Sequence, residues 1–115
     1  MALTELDRKR VEKLVAAYVA KRRPPPHLRP QVDLAFRVSG QSVEIFEIRP
    51  RWDRPDEKQE HAIAKATYVK TQDIWKVFWM RADLKWHRYD PMPTVDSVAK
   101  FLQLVENDEY SCFFG

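Results

Sequence analysis

Three consecutive prolines, Pro24 to Pro26, separate a helical start of the chain from a strand-rich remainder. Proline lacks a backbone N–H and its ring clashes with the preceding helical turn, so a helix cannot continue through the run. We therefore expect residues 24–31 to form a proline-rich connector that runs extended toward a sheet.

Residues 1–23 have the pattern of a basic amphipathic helix. Thr4 is a suitable N-cap, and the pattern predicts a helix from about Glu5 to Arg22. Helical spacing places five apolar residues on one face. They are Val11, Leu14, Val15, Tyr18 and Val19.

Positive charge is concentrated at the start of the chain. The first 30 residues hold eight lysines and arginines against three acidic residues. Such a cluster can attract a polyanion, which makes Arg22 and Arg23 candidate binding residues. The alternative is that these cations complement the negative end of the helix dipole and otherwise form a solvated face.

Beyond the connector, apolar and polar residues alternate in the manner of β-strands. The runs VDLAFRV and VEIFEIR flank turn residues 39–42 and predict an antiparallel hairpin. The apolar phase slips at Phe46, which predicts a bulge or a strand covered on both faces. Three further strands are expected at residues 62–70, 74–80 and 84–89.

The last part of the chain predicts a helix and a docked tail. Residues 94–106 carry an apolar stripe at helical spacing, with Thr94 or Asp96 as the opening residue. Residues 107–115 end in aromatic side chains, which indicates a tail docked into the core or onto a partner.

Together these elements predict one α+β domain over residues 1–115. Residues 32–90 would form a five-stranded antiparallel sheet, flanked by an N-terminal and a C-terminal helix. No apolar run approaches the roughly 18 residues that cross a bilayer, and the start lacks the apolar core of a signal peptide. We therefore expect a cytoplasmic protein without membrane contact, which the lone Cys112 also fits.

Four strings in the chain resemble a known family. They are VEIFEIRPRW, AKATYVK, FWMRADLKWHRYDP and ENDEYSCFFG, of which RADLKWHRY is the most specific. They are similar to a bacterial family catalogued as domain of unknown function 3024, and the resemblance covers roughly residues 32–115. Because that family has no established activity, the resemblance implies a domain and no chemistry.

Aromatic residues are dense on the expected sheet. Trp75 and Trp79 share one face of their strand, and Phe78 lies on the other. An uncovered aromatic face would be a stacking platform for nucleic-acid bases, with nearby cations holding phosphates. The alternative is that two helices cover one face and the aromatics fill the core. The candidate cations are Lys65, Lys76, Lys85 and Arg88.

The longest expected loop runs from Pro50 to Glu60, a polar segment interrupted by proline. It contains Arg51 and Trp52, which would form a binding hot spot if the indole is exposed. The same tryptophan could instead fold back and cap the sheet.

Two further residues carry weaker signals. His87 lies close to acids in the sequence but lacks a second ligand or nucleophile at a diagnostic spacing, so an ordinary hydrogen-bonded role is the alternative to binding. Cys112 could act as a nucleophile only if folding brings the tail to His87; otherwise it is a small buried hydrophobe.

Acidic residues suggest a third possibility. Asp33, Glu47 with Arg49, and Glu12 loosely follow the pattern of a metal-dependent nuclease. Arginine cannot serve as a base, however, and opposite charges on neighbouring strands usually pair. This reading would require a metal site, whereas our preferred reading includes neither a metal nor a cofactor.

The sequence therefore favours a small binding module without catalysis. Nucleic acid is the favoured ligand class, because the basic start, the Arg51-Trp52 loop and the cationic aromatic strands could form one surface. Protein interaction or self-association, through the tail or a sheet edge, is the alternative. A divergent nuclease is the third.

Overall fold

A computed structural model describes residues 3–114 of the protein. It contains two α-helices packed against one face of an antiparallel sheet, which confirms the α+β class with an N-terminal and a C-terminal helix. The elements are α1 (Glu5–Arg22), a 3₁₀ turn (Pro26–Leu28), β1 (Asp33–Ser39), β2 (Ser42–Pro50), β3 (Lys58–Val69), β4 (Ile74–Met80), β5 (Trp86–Arg88), β6 (Thr94–Val95) and α2 (Val98–Asn107).

The sheet contains one strand more than expected. Strands β1 to β5 pair in sequence order. Strand β6 also pairs with β4, at residues of β4 that β5 does not pair with. The predicted helix over 94–106 was therefore wrong at its start: Thr94 and Val95 extend the sheet instead. The helix begins after Ser97, whose hydroxyl accepts the N–H of Lys100 at 3.2 Å and caps the first turn.

Helix α1 has the predicted bounds and packs on the sheet through a narrow stripe. The Thr4 hydroxyl accepts the N–H of Asp7 at 3.1 Å, and Val11, Val15 and Val19 are buried. Leu14 was expected on this face but is 47% exposed. Only the row of Val11, Val15 and Val19, spaced four residues apart, reaches the sheet. Leu14 precedes Val15 by one position and therefore lies at the edge of the contact.

The predictions for the connector, for one loop and for one strand also need correction. The connector is not fully extended, because residues Pro26–Leu28 form the 3₁₀ turn. The loop predicted from Pro50 to Glu60 is shorter, since β2 and β3 continue their pairing to Pro50 and Lys58. Strand β5 is also shorter than the predicted 84–89, because Leu84 lies at φ 61 in the turn that precedes it.

A bulge is present where β2 pairs with β3, but its extra residue lies on β3 and not in the strand VEIFEIR where it was expected. Ile45 pairs with Ala64 and Phe46 pairs with Ala62, so Ile63 is the extra residue. The core cluster includes Ile45 and Ile63, whereas Phe46 is buried outside that cluster. Phe46 follows Ile45 on β2 and so lies on the opposite face, which the helices do not cover, while the extra residue on β3 allows Ile63 to join the core.

The C-terminal tail returns to the sheet. The Phe113 ring is buried, with its centroid 4.8 Å from that of Tyr89. The Asp108 carboxylate accepts the N–H groups of Phe113 at 2.9 Å and Phe114 at 2.8 Å. Within residues 3–114, no helix combines the length and apolar character needed to cross a bilayer.

Candidate functional site

The two faces of the sheet have different environments. Alternate strand residues such as Val43, Ala66 and Val77 join both helices in one buried cluster. The residues between them point to the opposite face, which we call the outer face. Neither α1 nor α2 contributes to it, so its side chains form a surface of the molecule.

Lys65 lies at the centre of this outer face, between two aromatic rings. It pairs in register with Phe78 on β4, and Met80 on β4 pairs with Trp86 on β5. The Lys65 Nζ atom is 5.0 Å from the ring centroid of Phe78 and 5.0 Å from a ring centroid of Trp86. Both contacts are within the range of favourable cation–π attraction.

Two further cations extend this group. Lys76 is exposed on β4, and Arg88 pairs in register with Phe78 on β5. Lys76 makes no ion pair with any residue in 3–114, whereas the Arg88 Nε atom lies 2.8 Å from the Asp90 carboxylate. We call the group of Lys65, Lys76, Phe78, Trp86 and Arg88 the outer-face patch.

The other half of the outer face has one cation against two acidic residues. Arg37 lies over the Phe46 ring at 4.5 Å and pairs with Glu44 at 3.8 Å and with Glu60. The single guanidinium of Arg37 thus pairs with an acid on β2, Glu44, and with an acid on β3, Glu60. Positive charge on this face is consequently concentrated toward β4 and β5.

The face that carries Trp75 and Trp79 cannot be a stacking platform. Trp75 is 5% exposed and packs against Tyr68 at 5.1 Å between ring centroids. Trp79 is half-buried beside the core, with Arg81 over its ring at 5.4 Å. The alternative that helices cover this face is confirmed, because Trp75 belongs to the helix-packed cluster.

Lys85 and His87 lie outside the outer-face patch. His87 pairs in register with Trp79, so it points to the opposite side of β5 from Trp86. Its Nε2 atom is 2.8 Å from the Asp83 carboxylate, and this hydrogen bond lowers the pKa of Asp83. The Lys85 N–H donates to the same carboxylate at 3.0 Å. Both residues therefore stabilise the β4–β5 turn.

Arg22 and Arg23 are engaged within the molecule. The Arg22 guanidinium contacts Glu106 at 3.3 Å and lies 4.4 Å from the Phe114 ring centroid. Arg23 donates to both carboxylate oxygens of Asp33, at 2.8 and 2.7 Å. These contacts join α1 to α2, the tail and β1, so both arginines have a structural role.

Trp52 is 93% exposed in the β2–β3 loop, so of the two alternatives the structure has the exposed indole and not the cap on the sheet. The neighbouring Arg51 is not available as a free cation. It lies 3.0 Å from Asp53 and 3.4 Å from Glu57, and Arg54 also contacts Glu57 at 3.5 Å. The loop presents an indole within an ion-pair network.

The candidate nuclease acids are each paired with an arginine. Asp33 and Glu47 line one small cavity of about 180 Å³. However, the hydrogen bond from Arg23 lowers the pKa of Asp33, and Glu47 contacts Arg49 at 3.3 Å. Glu12, the third acid, pairs with Arg8 at 3.1 Å. Among residues 3–114 no three His, Cys, Asp or Glu side chains come together as a metal site would need.

Cys112 is half-buried in the tail, with its sulfur 3.7 Å from the carbonyl oxygen of Tyr110. Burial raises the pKa of the Cys112 thiol, and the nearby Asp108 carboxylate raises it further. The thiol is therefore mainly protonated at neutral pH, which is unsuited to a nucleophile.

Sequence reasoning identified the cations of the outer-face patch but not its aromatic pair. Either aromatic face of the sheet was considered as a stacking platform, but Phe78 and Trp86 were not identified as neighbours. The available signal was their alternation with Trp75 and His87, which puts them on one face together with Lys65. The register between β3, β4 and β5 was needed to show that they are neighbours.

Comparison with known proteins identifies one family. The family model described as Domain of unknown function (DUF3024) matches residues 3–115, which is nearly the whole chain. No curated protein and no solved structure matches the sequence. A functional assignment therefore depends on the chemistry of the surface.

Proposed function

Because this chain belongs to the family described as Domain of unknown function (DUF3024), which names no activity, we propose its function from the outer-face patch. The protein is a non-catalytic module that binds single-stranded nucleic acid. The observation that carries this proposal is the position of Lys65 Nζ, 5.0 Å from the ring centroids of both Phe78 and Trp86.

The aromatic pair supports binding of single strands. Phe78 and Trp86 lie on neighbouring strands of a face without a helix, so a base can approach their rings. Stacking of a base on such a ring contributes about 1–3 kcal/mol, and unpaired bases alone expose the faces that stack. A base that stacks there displaces the Lys65 ammonium toward the backbone phosphates.

The charge of the protein favours the same ligand class. Lys76 and Arg88 flank the aromatic pair, and the chain has a net charge of +3 with a pI of about 9.1. A positive surface attracts a phosphate backbone and releases its counterions on binding. Stacking and phosphate contact would then occur at adjacent positions on one surface.

The proposal includes no catalytic step. The thiol of Cys112 has a raised pKa, and the carboxylates of Asp33 and Glu47 are paired with arginines. It also places the protein in the cytoplasm, because a lone cysteine fits a reducing compartment.

The test is an NMR titration of the full chain with mixed-sequence single-stranded and duplex DNA at low and moderate salt. We expect saturable shifts at Lys65, Phe78 and the Trp86 indole with the single strand. Phe78→Ala and Trp86→Ala should each weaken binding at least about tenfold, since a stacked base is lost. A plot of the logarithm of the binding constant against the logarithm of the salt concentration has a negative slope. Lys65→Gln should make this slope shallower by about 0.7.

The matched control is Trp52→Ala, which removes an indole that is 93% exposed in the β2–β3 loop, outside the outer-face patch. It should leave the affinity unchanged. Equal binding of duplex and single strand would contradict stacking, and absence of shifts at both salt concentrations would remove the proposal. Both aromatic variants must show wild-type circular dichroism before their affinities are compared.

A further inference from the structure

Hydrogen bonds and ion pairs fix the backbone of the β2–β3 loop, which carries the exposed side chain of Trp52. The Arg51 N–H donates to the Glu57 carbonyl at 2.9 Å, and the Glu57 N–H donates to the Arg54 carbonyl at 2.9 Å. The Arg51 side chain contacts Asp53 and Glu57 across the loop. A preorganised loop loses little conformational entropy on binding, and tryptophan is enriched among residues that dominate interfaces.

The charge of this loop does not suit a polyanion. Residues 51–57 contain two arginines and three acids, and both arginines are paired within the loop. Asp56 makes no ion pair with any residue in 3–114. The loop therefore presents an indole beside a free carboxylate, which fits an apolar groove with a cationic rim.

The same chain contains such a groove between α1 and β1. Its apolar lining is Ala16, Phe36 and Val38, and its volume is about 530 Å³. Lys9, Lys13, Arg37 and Glu12 form the rim. Lys9 pairs with Glu5, Arg37 with Glu44 and Glu60, and Glu12 with Arg8. Lys13 is exposed and forms no ion pair inside the described range. We call this feature the α1/β1 groove.

A loop cannot reach the groove of its own molecule. The β2–β3 loop follows the end of β2, which pairs with the start of β1 at Asp33, whereas the groove lies at Phe36 and Val38 in the second half of β1. The five-residue separation from Asp33 to Val38 corresponds to about 17 Å of extended strand. In a second copy whose β1 ran antiparallel to the first, the loop of each copy would lie at the level of the other's groove along the strand direction.

We propose that two copies of this chain associate around a two-fold axis beside β1, with Trp52 of each copy in the α1/β1 groove of the other. Asp56 then faces Lys13 of the second copy. Such an interface is self-complementary and closes after two copies. It does not depend on the proposed function, because the loop and the outer-face patch share no residue.

The contact occurs through side chains and does not extend the sheet. The edge carbonyl of Val38 accepts from Arg8 at 3.0 Å, and the N–H of Leu34 donates to the Asp33 carboxylate at 2.8 Å. These bonds occupy groups that strand pairing would need. Two tryptophan side chains bury about 300–500 Å² together, below a standard interface of about 1,200 Å² or more, so a weak dimer is expected.

Sedimentation velocity of the full chain from about 1 μM to about 1 mM tests this proposal over the range of weak association. The weight-average mass should rise from monomer toward dimer. Trp52→Ala should raise the dimer Kd at least about tenfold. Lys13→Asp and Asp56→Lys should each weaken the dimer, and the two changes together should restore it, because the charges are exchanged.

The controls are Leu84→Ala, which removes an apolar side chain that is 81% exposed, and Lys21→Asp, which reverses an exposed charge on α1 outside the groove. Both should dimerise like wild type. A monomer at every concentration would overturn the proposal. A dimer whose Kd is unaffected by Trp52→Ala would also overturn it, because the contact would then lie elsewhere. Failure of the double charge exchange to restore association would do the same. Thermal unfolding checks that each variant is folded.

Discussion

The ammonium group of Lys65 contacts two aromatic rings that come from other strands. Phe78 is supplied by β4 and Trp86 by β5, while Lys65 itself lies on β3. Each residue taken alone is an ordinary strand residue. Their combined chemistry, a cation between two aromatic rings, exists only after three strands have paired in one register.

The Arg23–Asp33 pair leads to a pH-dependent prediction. Hydrogen bonds from Arg23 hold the pKa of Asp33 below its ordinary value. Because the pKa of Asp33 is lower in the folded state, the ion pair stabilises the protein at pH values above the unfolded-state pKa of about 3.9. This stabilisation is lost as the pH falls through the folded-state pKa. We expect Asp33→Asn to lower the free energy of unfolding by about 1–2 kcal/mol at pH 7, and this difference to shrink below about pH 4.

Urea unfolding of wild type and Asp33→Asn at a series of pH values measures this difference. Asp96→Asn is the matched control, since the Asp96–Lys100 pair has side chains that are 65% and 60% exposed. Exposed pairs of this kind contribute about 0–1 kcal/mol. A difference for Asp33→Asn that stays constant from neutral to strongly acidic pH would contradict the assignment.

At the scale of elements, the end of α2 determines how the tail docks. Asp108 follows α2 in the left-handed conformation at φ 41, and its carboxylate accepts two backbone N–H groups of the tail. We expect Asp108→Ala to lower the free energy of unfolding by about 1–3 kcal/mol, because both charge-assisted bonds are lost. Hydrogen exchange should increase first at Phe113 and Phe114.

Two other substitutions separate the causes. Asp108→Gly removes the backbone strain as well as the carboxylate, so it should be less destabilising than Asp108→Ala. Glu109→Ala, at an exposed neighbouring position, should have almost no effect. Unchanged exchange at Phe113 and Phe114 in Asp108→Ala would show that the tail is held by packing alone.

Elements defined by neighbours in the chain were predictable to different degrees. The bounds of α1 were predicted correctly, because Thr4 and the prolines after Arg23 act locally. The apolar phase of β2 indicated an irregularity near Phe46, but the extra residue is Ile63 on the partner strand β3. Strand β6 was not predicted, since two residues with no alternation of their own become a strand only through pairing with Trp75 and Lys76 on β4.

At the scale of the whole molecule, the core lies on one side of the sheet, so the two faces of β4 should respond differently to substitution. Trp75→Ala removes a buried aromatic and should lower the free energy of unfolding by about 3–5 kcal/mol. Phe78→Ala on the outer face should cost about 1 kcal/mol, mostly from partial burial and the contact with Lys65.

Urea unfolding of the two variants under the same conditions provides the measurement. Val77→Ala, with a side chain that is fully buried, is the control for a smaller deletion on the core face. Equal losses for Trp75→Ala and Phe78→Ala would mean that the outer face is covered in solution, for example by association of copies through that face.

Alternation, caps and proline positions were enough to predict the α+β class, the first helix, the hairpin and most strands, because each signal acts between residues a few positions apart. The covered face of the sheet, the partners of Arg22, Arg23 and Arg51, and the aromatic neighbours of Lys65 depended on tertiary structure. A strand pattern has two faces, and only the packing of helices from the two ends of the chain decides which one becomes core. Ion pairs and ring contacts likewise depend on register and packing between distant segments, so the candidate site emerged only when those segments were in place.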